Sequence, residues 1–332
     1  MSTLEISAAP ELTPAARVFP AALRPVLEPL AFVVVTSALY FAVDQGAQFA
    51  LATGVVYALV AASLGVLLGW GGIYTFGHAA FFGLGAYATG LLKDQDLSPL
   101  LMLFAGAALA AVAGLVIGLL GWRIVAVEFA IMTLIVGQVA YLLTFKVDAL
   151  QGDNGLYGIP AGTLAGFELT DGNNLWWYTV GVVGLMLAVL RRLHLSPYGA
   201  SLNAVRDDPI KAAAVGLPVR LLRLSSFVLA CSVAGLAGVL FAQQQGIVTP
   251  TTLAFTFSGQ LIIMVLLGGL YHFWGGPIGA IVFMLLSNRI FGETTHATLV
   301  LGLILLFIVV LLPGGILGAI DKLVARVRGV RS

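Results

Sequence analysis

Chemistry in so apolar a chain would have to rest on the few ionisable side chains inside its hydrophobic runs, chiefly His78, Glu128 and Arg289. Acidic and histidine groups strung across a bilayer would form a proton relay. These three do not line up that way. Glu128 follows Arg123 by about a turn and a half of helix, close enough to the end of its run to reach an interface. Arg289 has Glu293 four residues on, the spacing of a helical ion pair, and a stem long enough to carry its charge to the surface. His78 directly follows Gly77 and reads as a hydrogen-bonding group between packed helices. Neither a His-Glu zinc pattern nor a nucleophile motif accompanies it. Cys231, the single cysteine, lies in an apolar run, which leaves no disulfide and no cysteine metal site. None of Lys93, Lys146, Lys211 and Lys322 follows a glycine, so the chain has no phosphate loop for ATP. The expectation is a chain that is not an enzyme and that itself holds no metal or cofactor.

Backbone chemistry is the stronger signal. "GGIYTFGHAAFFGLGA" from Gly71 and "GGLYHFWGGPIGA" from Gly268 share Gly-Gly, an aliphatic residue, Tyr, and Phe two positions later, 197 residues apart. Each follows one apolar run and opens the next, as a duplicated break in a membrane helix would. Non-helical backbone at membrane depth survives only where protein or a water-filled cavity satisfies it, so such breaks mark permeation routes. On this reading Gly71, Gly72, Thr75, Gly77, His78, Glu128, Gly268, Gly269 and Gly275 line the path. Leu at Gly77 or Gly275 is then expected to block passage while insertion and assembly survive. A tight cytoplasmic turn between two helices is the competing reading.

The elements that must hold these groups are membrane helices. The chain is 60% hydrophobic and 9% charged, against about 45–50% and about 25% in soluble domains. The expected fold is an all-α polytopic membrane protein of about ten transmembrane helices with broken Gly-rich segments. The spans fall near 29–43, 50–69, 76–92, 100–121, 124–146, 175–190, 223–242, 257–271, 275–292 and 297–312. Several are short enough to be tilted, broken or re-entrant. They form one transmembrane domain over 29–315, after an N-terminal segment 1–28 that lacks a cleavable-signal pattern and before a basic tail 316–332. Gly106, Ala110, Gly114 and Gly118 in the fourth span, and Ala230, Ala234 and Gly238 in the seventh, are small-residue stripes for close helix packing.

Placing both termini in the cytoplasm puts thirteen of the sixteen Lys and Arg on the inner side. The loop 147–174 has none and carries Asp148, Asp153, Glu168 and Asp171, so it lies outside by the positive-inside rule. The inner loop 191–222 contains "SLNAVRDDPIKAAAVGLP". Asp208 suits an N-cap, Pro209 the first helical position, Gly216 the residue past the end and Pro218 a stop. These signals predict a short helix over Ile210 to Val215, preceded by a turn or two within Ala200 to Asp207. A helix so short needs a surface to pack against, and Ala212, Ala213 and Ala214 permit close approach. No basic block interleaved with aromatics points to nucleic acid.

"GHAAFFGLGAYATG" (77–90), "EFAIMTL" (128–134), "GDNGLYGIP" (152–160), "SPYGASLNAVRDDPIKAAAVGL" (196–217), "AGLAGVL" (234–240) and "GGPIGA" (275–280) occur in that order. Together they resemble the permease subunits of branched-chain amino acid ABC importers over about residues 50–315, most of all the M-type permease of that two-permease system. The urea-importer branch is similar as well. The resemblance implies a path for branched-chain or other hydrophobic amino acids in a bacterial inner membrane. It also implies a second homologous permease, two cytoplasmic ATPases that use ATP and Mg, and an outer substrate-binding protein. Arg206, Asp207, Asp208, Ala212, Ala213 and Gly216 fall on the ATPase-coupling segment of such permeases, and Asp153, Asn154 and Gly155 on the side that meets the binding protein. The sequence departs from the family by having Asp207-Asp208 where relatives often have Glu-Asn. An ion-coupled secondary transporter is the alternative of another class; its uptake would follow a proton or sodium gradient without an ATPase.

Overall fold

A backbone in hydrocarbon has to satisfy its own N–H and C=O groups, so the uncharged apolar runs fold as helices. The computed structural model describes residues 23–95, 97–124, 127–164, 166–291, 302 and 314–327. Its helices in chain order are α1 (Arg24–Ala42), α2 (Gln45–Gly65), α3 (His78–Leu91), α4 (Pro99–Leu120), α5 (Val127–Lys146) and α6 (Gly172–His194), then α7 (Pro197–Asp207), α8 (Pro209–Ala214), α9 (Val219–Gln245), α10 (Phe255–Gly268), α11 (Gly275–Phe291) and α12 (Gly315–Val327). A π-helical turn, Val66–Gly71, extends α2. The all-helical polytopic reading holds. Among the described residues six helices are long and apolar enough to cross a membrane: α1, α2 with its extension, α4, α5, α6 and α9. The expected spans at 76–92, 257–271 and 275–292 correspond to the shorter α3, α10 and α11. The expected span at 297–312 lies outside the described residues, apart from Gly302 in helical conformation. Within the segment set aside as 1–28, helix already begins at Arg24, and the expected basic tail holds α12.

α2 and α9 form the enclosed centre, while α1, α4 and α5 leave wide apolar faces such as Val34, Phe104 and Ile135 uncovered, as lipid contact requires. The small-residue stripes pack as expected. A Cβ on Gly114 would stand 2.7 Å from the Cys231 Cβ, one on Gly118 2.6 Å from Leu224, and one on Gly238 would meet the Phe82 carbonyl. Helix α4 thus lies against α9, and α9 against α3, at backbone distance. Ser98 begins α4 by accepting a bond from the Leu101 amide at 3.3 Å, with Pro99 in the first turn.

The loop between α5 and α6 carries three two-residue strands, β1 (Leu156–Tyr157), β2 (Thr163–Leu164) and β3 (Phe167–Glu168); a fourth, β4 (Ile247–Val248), follows α9. β2 pairs antiparallel with β3, and β1 with β4 in the register Leu156↔Val248. The acidic loop is therefore tied to the far end of α9 from the basic segment that precedes that helix. The molecule has one acidic and one basic end.

Candidate functional site

Both glycine-rich motifs interrupt their helices at equivalent points. The π turn stops at Gly71, Gly72 adopts φ +61°, and helix resumes at His78; α10 stops at Gly268, Gly269 adopts φ +124°, and helix resumes at Gly275. Both left-handed positions favour glycine. Each break leaves amides that no helix can satisfy, and in the first break hydroxyls answer them. Phe76 N donates to Thr133 Oγ1 at 3.3 Å, Gly77 N to Thr75 Oγ1 at 3.4 Å and Ala79 N to Ser258 Oγ at 3.0 Å. His78 is fully buried with Nε2 2.8 Å from Ser63 Oγ, a packing hydrogen bond between α2 and α3.

The two breaks touch. A Cβ on Gly69 would lie on the Leu270 carbonyl, so the π turn before the first break rests on the second. The same geometry corrects the expectation that a bulky residue at Gly77 or Gly275 leaves assembly intact. A Cβ on Gly77 would strike the Thr133 carbonyl, one on Gly275 the Gly269 carbonyl and one on Gly268 the Gly275 carbonyl. Their space is filled with backbone. Gly71 differs, since its nearest neighbours would be at ordinary contact distance, 3.4 Å or more. Thr75 is buried, whereas Glu128 is exposed on the first turn of α5, apart from this packed group.

Arg206, in the last turn of α7, joins the basic loop to both breaks. Its Nη1 donates to the Gly69 carbonyl, its Cγ lies 2.8 Å from where a Gly72 Cβ would stand, and its guanidinium carbon is 5.3 Å from the Tyr271 ring centroid. Asp207 Oδ1 lies 2.7 Å from Nη2 and holds the fork in place. The next residue starts α8 as the sequence predicts. Asp208 Oδ1 accepts from the Ile210 and Lys211 amides at 3.0 Å each, and Oδ2 lies 3.1 Å from Lys211 Nζ. The hydrogen bonds from Lys211 lead in holding the Asp208 carboxyl below its ordinary value. Gly216, at φ +88°, closes the helix.

Helix α8 divides its alanines between two faces. Ala212 is buried within the chain, while Ala213 is exposed beside Ile210 and Val215, which are 81% and 77% exposed. Uncovered aliphatics on a short polar helix call for a partner. A cleft of about 500 Å³ runs from Ile210 and Ala213 to Tyr74, Arg123, Arg220 and Phe227. At the acidic end, Asp153 and Asn154 are exposed in a 3₁₀ turn, and Gly155 is buried at φ +66° under β4.

Sequence reasoning missed Glu28. Its Oε2 accepts from Trp274 Nε1 at 2.8 Å and lies 2.7 Å from Arg191 Nε, and the Arg191 guanidinium stands 5.0 Å from the Phe273 ring centroid. α1 and α6 are thereby pinned to the second break. Partners so distant in sequence give no local signal.

The family model for the permease component of the branched-chain amino acid transport system matches residues 46–310. The chain belongs to that family. It is 27% identical to the high-affinity branched-chain amino acid transport system permease protein LivM of Escherichia coli, over 87% of this chain and 74% of that protein. The Salmonella typhimurium LivM is 26% identical over the same shares. A probable branched-chain amino acid transport permease protein LivH of Methanocaldococcus jannaschii is 27% identical over 58% of this chain and 56% of its own length. No solved structure matches. The chain is therefore a permease component of a branched-chain amino acid ABC transport system, a transport subunit rather than an enzyme.

Proposed function

We propose that this permease conducts branched-chain or other hydrophobic amino acids by alternating access, driven by ATP hydrolysed on two separate cytoplasmic ATPases that bind ATP and Mg. The permease crosses the bacterial inner membrane in about ten spans, with the basic end and both termini in the cytoplasm and the acidic loop outside, in keeping with the positive-inside rule. A second homologous permease completes the path. A substrate-binding protein docks over Asp153 and Asn154, which the buried Gly155 holds in place, and α8 seats in one of the ATPases through Ala213, Ile210 and Val215. When the ATPases close, α8 and α7 move together, and Arg206 passes that motion to both glycine breaks.

The observation that carries this reading is the Arg206 clasp, which ties the segment bearing α8 and its exposed aliphatics to both glycine-rich breaks. ATP-dependent uptake by the complete complex in liposomes, offered leucine, phenylalanine and urea, tests it. Leucine uptake that needs ATP and ignores proton and sodium gradients is the expected result. Transport of urea alone would move the chain to the urea branch, and gradient-driven uptake without ATPases would make it a secondary transporter.

A further inference from the structure

At the acidic end, a second pocket of about 250 Å³ opens between α2, α3, α9 and α10. Its floor is aromatic. The Tyr57 ring centroid lies 5.9 Å from Phe241 and 5.1 Å from Phe257, and Phe82 is 5.4 and 5.1 Å from the same two rings. Its rim is made of hydroxyls and amides. Thr249 and Thr251 share a hydrogen bond of 2.7 Å, and Gln245 is held by Thr53 at 3.3 Å. Thr256 and Gln260 are exposed on α10 and have no hydrogen-bond partner among the described residues. No Asp, Glu, Lys or Arg lines the pocket.

We infer that this pocket receives the transported amino acid as a zwitterion on its way in from the outer face, an inference that rests on the function proposed above. An aliphatic side chain removes apolar surface from water by lying on Tyr57 and Phe241, behind which Phe82 and Phe257 are packed. The ammonium and carboxylate each need several hydrogen bonds, and hydroxyls and amides can both donate and accept. A rim without charge favours a ligand of zero net charge over a dicarboxylate or a dibasic amino acid, because either would bring an unpaired charge into the site. Gln260 and Thr256 line the pocket with side chains that are exposed and make no hydrogen bond within the described chain, so they are free to meet the charged groups of a ligand. The pocket lies just under the usual range of about 300–1,000 Å³ for drug-sized ligands, in keeping with a single small amino acid.

The test uses the complete complex with its binding protein in liposomes. Gln260→Leu and Thr256→Val remove the polar atoms from exposed positions at similar shape, and recovery of the ATPases with the tagged permease monitors assembly. Losing a hydrogen bond to a charged group predicts a fall in ATP-driven leucine uptake of about tenfold or more. Photo-leucine, a diazirine analogue, should attach to Tyr57 or within residues 241–260, and excess leucine should suppress the labelling. Wild-type uptake by both variants, or competed labelling elsewhere, overturns the pocket while leaving the proposed function standing. Loss of the second permease from either variant would make this face a subunit contact and also overturn it. A wild-type complex that does not move leucine defeats the function, and the pocket with it.

Discussion

Arg206 donates through Nη1 to the carbonyl of Gly69, a residue of the π turn that ends α2, and so ties the basic loop after α6 to the backbone of a broken helix. A carbonyl released by a wide turn needs a donor. Arg206 supplies it from a chain segment that leads directly into α8.

Arg206→Ala is accordingly expected to uncouple the machine without dismantling it. α8 keeps its own cap, so ATPases should still co-purify, while leucine uptake per ATP hydrolysed falls by about tenfold or more, the scale of one charged hydrogen bond. Arg206→Lys should recover only part of this, since an ammonium cannot reproduce the planar fork that reaches Gly69, Asp207 and Tyr271 together. Equal coupling ratios for wild type and Arg206→Ala would remove Arg206 from the transmission path.

The breaks give a prediction that reverses the one sequence alone supports. Gly77→Leu and Gly275→Leu would drive a side chain into the Thr133 and Gly269 carbonyls, so the yield of folded permease should drop sharply. Gly71→Ala has room at 3.4 Å and should leave yield near wild type. Size-exclusion profiles of the detergent-purified variants decide between packing and an open path. Monodisperse Gly77→Leu and Gly275→Leu at wild-type yield would restore the expectation that a bulky residue at these positions leaves assembly intact.

Much of this architecture was legible because its signals are local. The cap at Asp208, the stop at Gly216, the small-residue stripes on α4 and α9 and the duplicated glycine motif all declare themselves within a few residues. What stayed hidden depends on partners far apart in sequence. Ser63, Thr133 and Ser258 look like ordinary polar residues in apolar runs, yet they satisfy the amides and the histidine of a break that begins or ends many residues away. Glu28 fell in the N-terminal segment set apart from the spans, whereas Arg191 and Trp274 make it a structural anion. Periodicity likewise could not show that Ala212 and Ala213, adjacent in sequence, face opposite environments.

The Asp208 cap also predicts a pH response. Its carboxyl titrates lower in the folded chain than in the unfolded one, chiefly through the hydrogen bonds from Lys211. The cap's contribution is therefore complete above the ordinary carboxylate value and is lost as pH falls through the lowered folded value. ATPase binding should hold down to mildly acid pH and weaken only below the usual carboxylate range. Asp208→Asn, which still accepts hydrogen bonds, should bind ATPases well and lose that acid dependence, while Asp208→Ala should bind more weakly at every pH. An acid limit unchanged in Asp208→Asn would assign it to another group.

Helix α8 has too few residues to be stable through its own propensity, and Ile210 and Ala213 on it and Val215 at its C-cap are exposed while Ala212 is buried against the chain. A connector would need only length and solubility. A docking helix needs a small residue where its partner comes closest, so Ala213→Arg should both overpack the contact and carry an unpaired charge into it, at a cost of several kcal/mol in affinity. Lys211→Gln is the control, because that side chain is 86% exposed, so its Nζ contact with Asp208 is worth little, and the amide that bonds the Asp208 cap is kept. The measurements are recovery of the ATPases with tagged permease and substrate-stimulated ATP hydrolysis in liposomes. Ala213→Arg should lose both by at least tenfold, and Lys211→Gln should lose neither. If Ala213→Arg retains both, α8 is only a connector, and the drive must enter the permease through another surface, with the cleft beside Tyr74 and Arg123 the next to be probed.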